Sequence, residues 1–149
     1  MKKQSLSVVL ATFNEESNIF DCLTSVKGIA SEIIVVDGSS SDKTSEIAKS
    51  LGARVIKTDN PPIFHINKQK ALEVARGDWI LQLDADERVP PQLAREIENI
   101  IKMSDSEIYK HQTRLPDNRL FLRHQKLLEE GEGKVGTDEG PLSGFFIPR

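Results

Sequence analysis

Glu32-Ile33-Ile34-Val35-Val36-Asp37-Gly38-Ser39-Ser40-Ser41-Asp42 is the stretch on which the fold turns. Four consecutive β-branched residues suit a strand buried on both faces, the signature of a parallel sheet covered by helices. The run stops at an acid followed by glycine and three serines, which is turn chemistry. Upstream, residues 6–11 (Leu-Ser-Val-Val-Leu-Ala) form a second strand candidate, and Ile19, Cys22, Leu23 and Val26 then recur at helical spacing with Asn14 as the expected cap. Downstream, Asp42 is placed to cap a helix whose Thr44, Ile47, Ala48 and Leu51 share a face, and Gly52 supplies a left-handed stop. Residues 53–57 return as a strand, 59–62 are a loop, 67–75 are helical and close at Gly77, and 79–83 are the next strand. Pro90-Pro91 opens a helix that carries Leu93, Ile97, Ile100 and Ile101 on one side. The alternation defines an α/β layer fold, a mostly parallel sheet flanked by helices.

Beyond residue 103 the periodicity fades. Residues 120–130 suggest a short helix, residues 131–140 are glycine-rich, and Phe145-Phe146-Ile147 reads as a strand. The division that follows is a first domain of residues 1–102 and a charged, Gly-rich segment of residues 103–149. A chain of 149 residues can bury one core of ordinary size. Twenty basic against 23 acidic residues leave a net charge of −3, with no excess to hold a nucleic-acid backbone. Cys22 is the single cysteine, so an internal disulfide is excluded and a reduced, cytoplasmic setting is expected. The apolar run at residues 6–11 is too short for a signal peptide or a membrane span. Peripheral attachment through the tail stays open, as does self-association through an exposed strand at 145–147.

The chemistry concentrates where strands end. Asp84 and Asp86 stand two residues apart after a buried strand, and an extended backbone would aim both carboxylates one way. Their repulsion is relieved by a hard divalent cation, Mg²⁺ or Mn²⁺, which takes oxygen ligands and keeps positions for substrate phosphates. Asp84-Ala85-Asp86-Glu87 could equally be an acidic turn, but the carboxyl end of a buried strand is where α/β sheets bind ligands. Thr12, Asn14 and Glu15 after the first strand and Asp37 and Ser39 after the second are expected at the same edge. There Glu15 and Asp37 can accept hydrogen bonds from a ribose or base, although Asn14, Ser39 and Asp42 also suit capping and turns. Lys68 and Lys70, at a helix start, offer charge to a phosphate, and Lys70 is the one selected. Neither phosphate-binding glycine loop is present. His65, His111 and His124 lack zinc spacing.

Three blocks together resemble family 2 glycosyltransferases of the Rossmann-like GT-A fold. They are Ser7-Val8-Val9-Leu10-Ala11-Thr12-Phe13-Asn14-Glu15-Glu16, Val35-Val36-Asp37-Gly38-Ser39-Ser40-Ser41-Asp42, and Asp78-Trp79-Ile80-Leu81-Gln82-Leu83-Asp84-Ala85-Asp86-Glu87. Asp84-Ala85-Asp86-Glu87-Arg88 is similar to the bacterial branch that builds lipopolysaccharide core and other surface glycans. The resemblance implies a nucleoside pocket lined by Thr12, Asn14, Glu15 and Asp37, with Asp84 near ribose and diphosphate and Asp86 on the metal. It also implies an inverting transfer from a nucleotide-diphosphate sugar to a glycan or lipid-linked acceptor, on the cytoplasmic side or at the inner face of the membrane. The family's acceptor half, with its general base, is expected to be incomplete here; Asp138 and Glu139 are weak substitutes. A truncated donor-binding module without turnover is the alternative from outside enzymology. A nucleotidyltransferase is the alternative within it, and an Asp-x-Asp phosphatase fits poorly because Arg88 stands where that class has Thr or Val.

Overall fold

The computed structural model describes residues 4–59, 65–103, 122–123 and 145–148. In chain order the elements are β1 (Leu6–Thr12), α1 (Glu16–Val26), β2 (Glu32–Asp37), α2 (Thr44–Ser50), β3 (Arg54–Lys57), α3 (His65–Val74), β4 (Trp79–Gln82), α4 (Pro91–Met103), β5 (Leu122–Arg123) and β6 (Phe145–Pro148). They build one sheet in the order β3-β2-β1-β4-β6-β5. The first four strands are parallel, with Thr12 opposite Asp37, Val9 opposite Gln82 and Asp37 opposite Lys57. β6 runs antiparallel to β4, and β5 to β6.

The alternation of side chains along the strands sorts the core into two layers. Leu6, Val8, Leu10, Ile33, Val35 and Leu81 face α1, α2 and α4, meeting Ile19, Leu23, Ala48, Leu93 and Ile97. Val9, Ile34, Val36 and Ile80 face the opposite way, against Ala71 and Ala75 of and just after α3. Every residue of β1 is buried, as a central strand between two parallel neighbours must be.

Expected helix faces hold. Ile19, Cys22, Leu23 and Val26 are all buried on α1, and Leu93, Ile97 and Ile100 on α4. Gly52 takes φ +87° after α2, as the left-handed stop requires. Two local expectations are corrected. Asn14 does not cap α1: Glu15 occupies the cap position, its own side chain makes no capping bond, and Asn14 itself takes φ 52°. The structure places the carboxamide of Asn14 on the neighbouring loop instead, where its Oδ1 accepts from the Ser41 N–H at 2.9 Å. In residues 120–130, Leu122–Arg123 are strand and not helix, because β6 offers them a ladder. The remainder of that segment, His124 included, lies outside the described residues, as do His111, Asp138 and Glu139. No described helix is long and apolar enough to cross a membrane.

Candidate functional site at the carboxyl edge of the sheet

Parallel β1, β2 and β4 must deliver their last residues to one edge, so Thr12, Asp37 and the segment after Gln82 come together there. Asp37 is fully buried, and three internal donors reach its carboxylate. Thr12 Oγ1 donates to Oδ1 at 3.1 Å, Ser40 Oγ to Oδ1 at 2.6 Å, and the Ser40 N–H to Oδ2 at 3.0 Å. A carboxylate has about four acceptor positions, so most of the capacity of Asp37 goes into holding the turn that follows it. Ser39 at the tip of that turn is exposed at φ 62°, pinned by its hydroxyl to the Thr58 carbonyl at 2.7 Å.

The starts of α1 and α2 lie side by side and satisfy one another. Asp42 Oδ1 accepts from the Thr44 N–H at 2.9 Å, so Asp42 caps α2 as expected, although it lies one residue ahead of the formal cap position. Its other oxygen accepts from the Glu16 N–H of α1 at 3.1 Å, and Glu16 Oε2 in turn accepts from the Lys43 N–H at 3.2 Å. Thr44 Oγ1 accepts from the Glu15 N–H at 2.9 Å. These bonds consume amides that a helix start otherwise leaves open. Desolvation works to raise the Asp42 pKa, but the Thr44 hydroxyl, which donates to Oδ1, and the N–H groups of Thr44 and Glu16 outweigh it and hold the carboxyl below the usual aspartate range. Glu15 is half-buried, its carboxylate accepting from Asn18 Nδ2 at 3.0 Å; Asn14 is exposed.

On the β4 side the expected geometry is corrected. The ladder ends when the Leu83 N–H reaches the Val9 carbonyl at 3.1 Å, and the chain then folds into a turn instead of staying extended. The Glu87 N–H bonds the Asp84 carbonyl at 3.0 Å, and the Glu87 carboxylate accepts the Asp84 N–H at 2.8 Å. The reciprocal pair stabilises the turn, so the two-residue alternation that would align Asp84 with Asp86 is lost. Asp86 is left exposed, whereas the Asp84 side chain retains 27% of its exposure and meets Lys68 Nζ at 2.7 Å. Lys68 is itself only 11% exposed, projecting from α3 on the opposite layer. Lys70, the lysine selected from the sequence, is exposed and forms no ion pair among the described residues. Lys68 falls on this edge because α3 packs against β1 and β2, a tertiary relation that local spacing does not encode.

Cys22, buried on α1, points its Sγ at the Asp84 carbonyl, 3.6 Å away, and burial pushes its thiol pKa up to about 12. It is therefore a packing and donor group and not a nucleophile.

Two observations bear on a divalent cation. Asp84 Oδ1 is buried against the Lys68 ammonium at 2.7 Å, and Asp86 is open beside it in sequence. Among the described residues no three His, Cys, Asp or Glu side chains gather as a closed cage. An open carboxylate site is the type that Mg²⁺ and Mn²⁺ complete with waters and substrate phosphates, so the residues fit such an ion.

The model of glycosyl transferase family 2 matches residues 7–146. An uncharacterized glycosyltransferase of Rickettsia bellii is 39% identical over 107 residues, 71% of this chain and 36% of the relative. The chain thus spans about a third of the length of the curated relatives it matches. Among solved structures, mannosyl-3-phosphoglycerate synthase from Rubrobacter xylanophilus superposes with a TM-score of 0.55 at 28% identity, over 66% of this chain and 36% of that one. Glucosyl-3-phosphoglycerate synthase from Mycobacterium tuberculosis, solved with Mn²⁺ and uridine-diphosphate-glucose, gives 0.51 at 28% identity, over 58% and 35%.

Proposed function

Because the chain belongs to glycosyltransferase family 2, with the GT-A fold, we propose that its sheet edge is the donor site of an enzyme that moves a sugar from a nucleotide-diphosphate sugar to an acceptor hydroxyl. The observation that carries this reading is the convergence of Thr12, Asp37 and Asp84 from three parallel strand ends. Thr12, Asn14, Glu15, Asp37 and Ser39 would form the nucleoside side. The Asp37 carboxylate would build its floor, and the exposed Asn14 and Ser39, whose side-chain oxygens already bond Ser41 and Thr58, would line its rim. Asp84 and Lys68 would form the diphosphate side, with Lys70 nearby on α3.

Asp86 would hold a divalent cation, with Asp84 beside it, and such an ion supplies positive charge to a departing diphosphate. In an inverting transfer the acceptor oxygen bonds to the anomeric carbon as the carbon–oxygen bond to the diphosphate breaks. The hydroxyl proton passes to a base, and we assign that base to none of the described residues. A base contributes roughly 10²–10⁴-fold, so donor binding and turnover separate experimentally. The acceptor class we favour is a glycan or lipid-linked glycan of the cell surface, lipopolysaccharide included, met on the cytoplasmic side of the membrane. Residues 103–149 would belong to the acceptor side, even though β6 joins the donor sheet.

Isothermal calorimetry of the chain with UDP and then other nucleoside diphosphates, with and without Mn²⁺, tests the donor site. Metal-dependent binding that Asp86→Ala reduces by at least about tenfold is expected, since even the groups that only support a metal ligand cost ~10–100-fold when mutated. Absence of binding to any nucleotide would sink the reading. Binding without transfer or hydrolysis of a nucleotide sugar would define a donor-binding module.

A further inference from the structure

The turn that carries Asp86 is clamped from outside by Arg88. One guanidinium nitrogen, Nη1, donates to the carbonyls of both Ala85 and Glu87 at 2.9 Å. The other, Nη2, reaches Asn18 Oδ1 at 3.5 Å and lies 3.9 Å from Asp21, both on α1. Two further bonds join the same helix to the same segment: Cys22 Sγ–H to the Asp84 carbonyl, and the Val89 N–H to Ser25 Oγ at 3.0 Å. Asn18, Cys22 and Ser25 stand at i, i+4 and i+7, a single stripe of α1, so one helix face holds the segment from Asp84 to Val89 along its length. With the reciprocal Asp84 and Glu87 bonds, the carbonyls of Asp84, Ala85 and Glu87 are all engaged, while the Asp86 side chain is exposed.

We propose that Arg88 is a positioning residue that fixes the Asp86 carboxylate for its cation by holding the carbonyls on either side of it. The inference rests on the donor-site reading above. The ion pair with Asp21 is not what matters, because a contact of 3.9 Å to a well-exposed carboxylate is weak. Nη1 alone reaches both carbonyls, and the planar fork lets Nη2 turn to Asn18 at the same time; an ammonium group can meet the carbonyls but has no second nitrogen to key the side chain to α1.

Two variants, Arg88→Met and Arg88→Lys, test this in the full chain against the wild type, with Mn²⁺ and UDP as probes. Groups that orient a metal ligand typically change metal affinity ~10–100-fold. Arg88→Met should weaken Mn²⁺ binding in the presence of UDP by that factor, and Arg88→Lys should recover only part of it. UDP affinity without metal should stay unchanged, a split that general destabilisation would not produce. In the ligand-free chain, amide exchange at Asp84 and Glu87 should accelerate in Arg88→Met and leave β1 unaltered. If Arg88→Met binds Mn²⁺ like the wild type, the positioning role is overturned; if Arg88→Lys restores affinity completely, the hold on the carbonyls is supported and any contribution of the Nη2 contact to Asn18 is overturned. If instead the wild type binds no Mn²⁺ with UDP or with any other nucleoside diphosphate, the donor-site reading itself fails, and faster exchange in Arg88→Met would then mark Arg88 as a structural clamp only.

Discussion

Asp84 and Lys68 meet at 2.7 Å across the two layers of the molecule, both largely withdrawn from water. Partial burial strengthens their attraction and raises the cost of leaving either charge alone. A double-mutant cycle with Lys68→Met and Asp84→Asn, read by urea unfolding, should therefore return a coupling of about 1 kcal/mol, within the span usual for contacting pairs. Additive effects would show that the pair carries no net energy. The convergence of residues at this candidate site was legible in the sequence: two aspartates after a buried strand, with Thr12 and Asp37 after two others. Its geometry was not, because the turn depends on the Glu87 carboxylate folding back to the Asp84 N–H. The choice between Lys68 and Lys70 likewise depends on how α3 lies over the sheet. Arg88 left a signal in the sequence as the last residue of Asp84-Ala85-Asp86-Glu87-Arg88, but nothing local says that its fork closes on carbonyls instead of meeting a ligand.

At the level of elements, β4 can start beside β1 because Gly77 has no side chain. A Cβ there would come within 2.6 Å of the Ser7 backbone nitrogen and 2.8 Å of the Trp79 carbonyl oxygen. The Gly77 N–H also bonds Ser7 Oγ at 2.7 Å, so the approach cannot simply widen. Gly77→Ala should cost about 1–3 kcal/mol, the usual penalty of overpacking, visible as a lower Tm with unchanged far-ultraviolet dichroism. The sequence marked this glycine as the end of a helix, whereas its role is close packing between strands, a difference only the sheet order reveals. Strand and helix identities were otherwise readable, since Glu32 to Asp37 carries continuous β-branching and α1 and α4 carry clear apolar stripes. The short β5 was not, because two residues carry no period of their own and owe their state to β6.

For the molecule as a whole, Glu32 ties together the starts of the central strands. Burial works to raise its pKa, but hydrogen bonds from Ser7 Oγ and from the N–H groups of Arg76 and Gly77 outweigh it and hold the carboxyl below the usual glutamate range. The folded value lies below the unfolded one, so the stabilisation is complete above the unfolded glutamate pKa, roughly 4.3. It is lost as pH falls through the folded value. Thermal unfolding of the wild type should weaken on acidification from pH 6 toward pH 3 more steeply than that of Glu32→Gln; parallel profiles would rule this linkage out. The sheet order carries one more consequence. β1 is made first and lies between β2 and β4, yet its partner Trp79 to Gln82 is more than seventy positions later. A chain emerging from the ribosome can pair β1 with β2 and β3 early, while the other flank of its central strand stays unmatched until β4 has been synthesised. For that interval the central strand has one open edge, the kind of surface on which a neighbouring chain can pair.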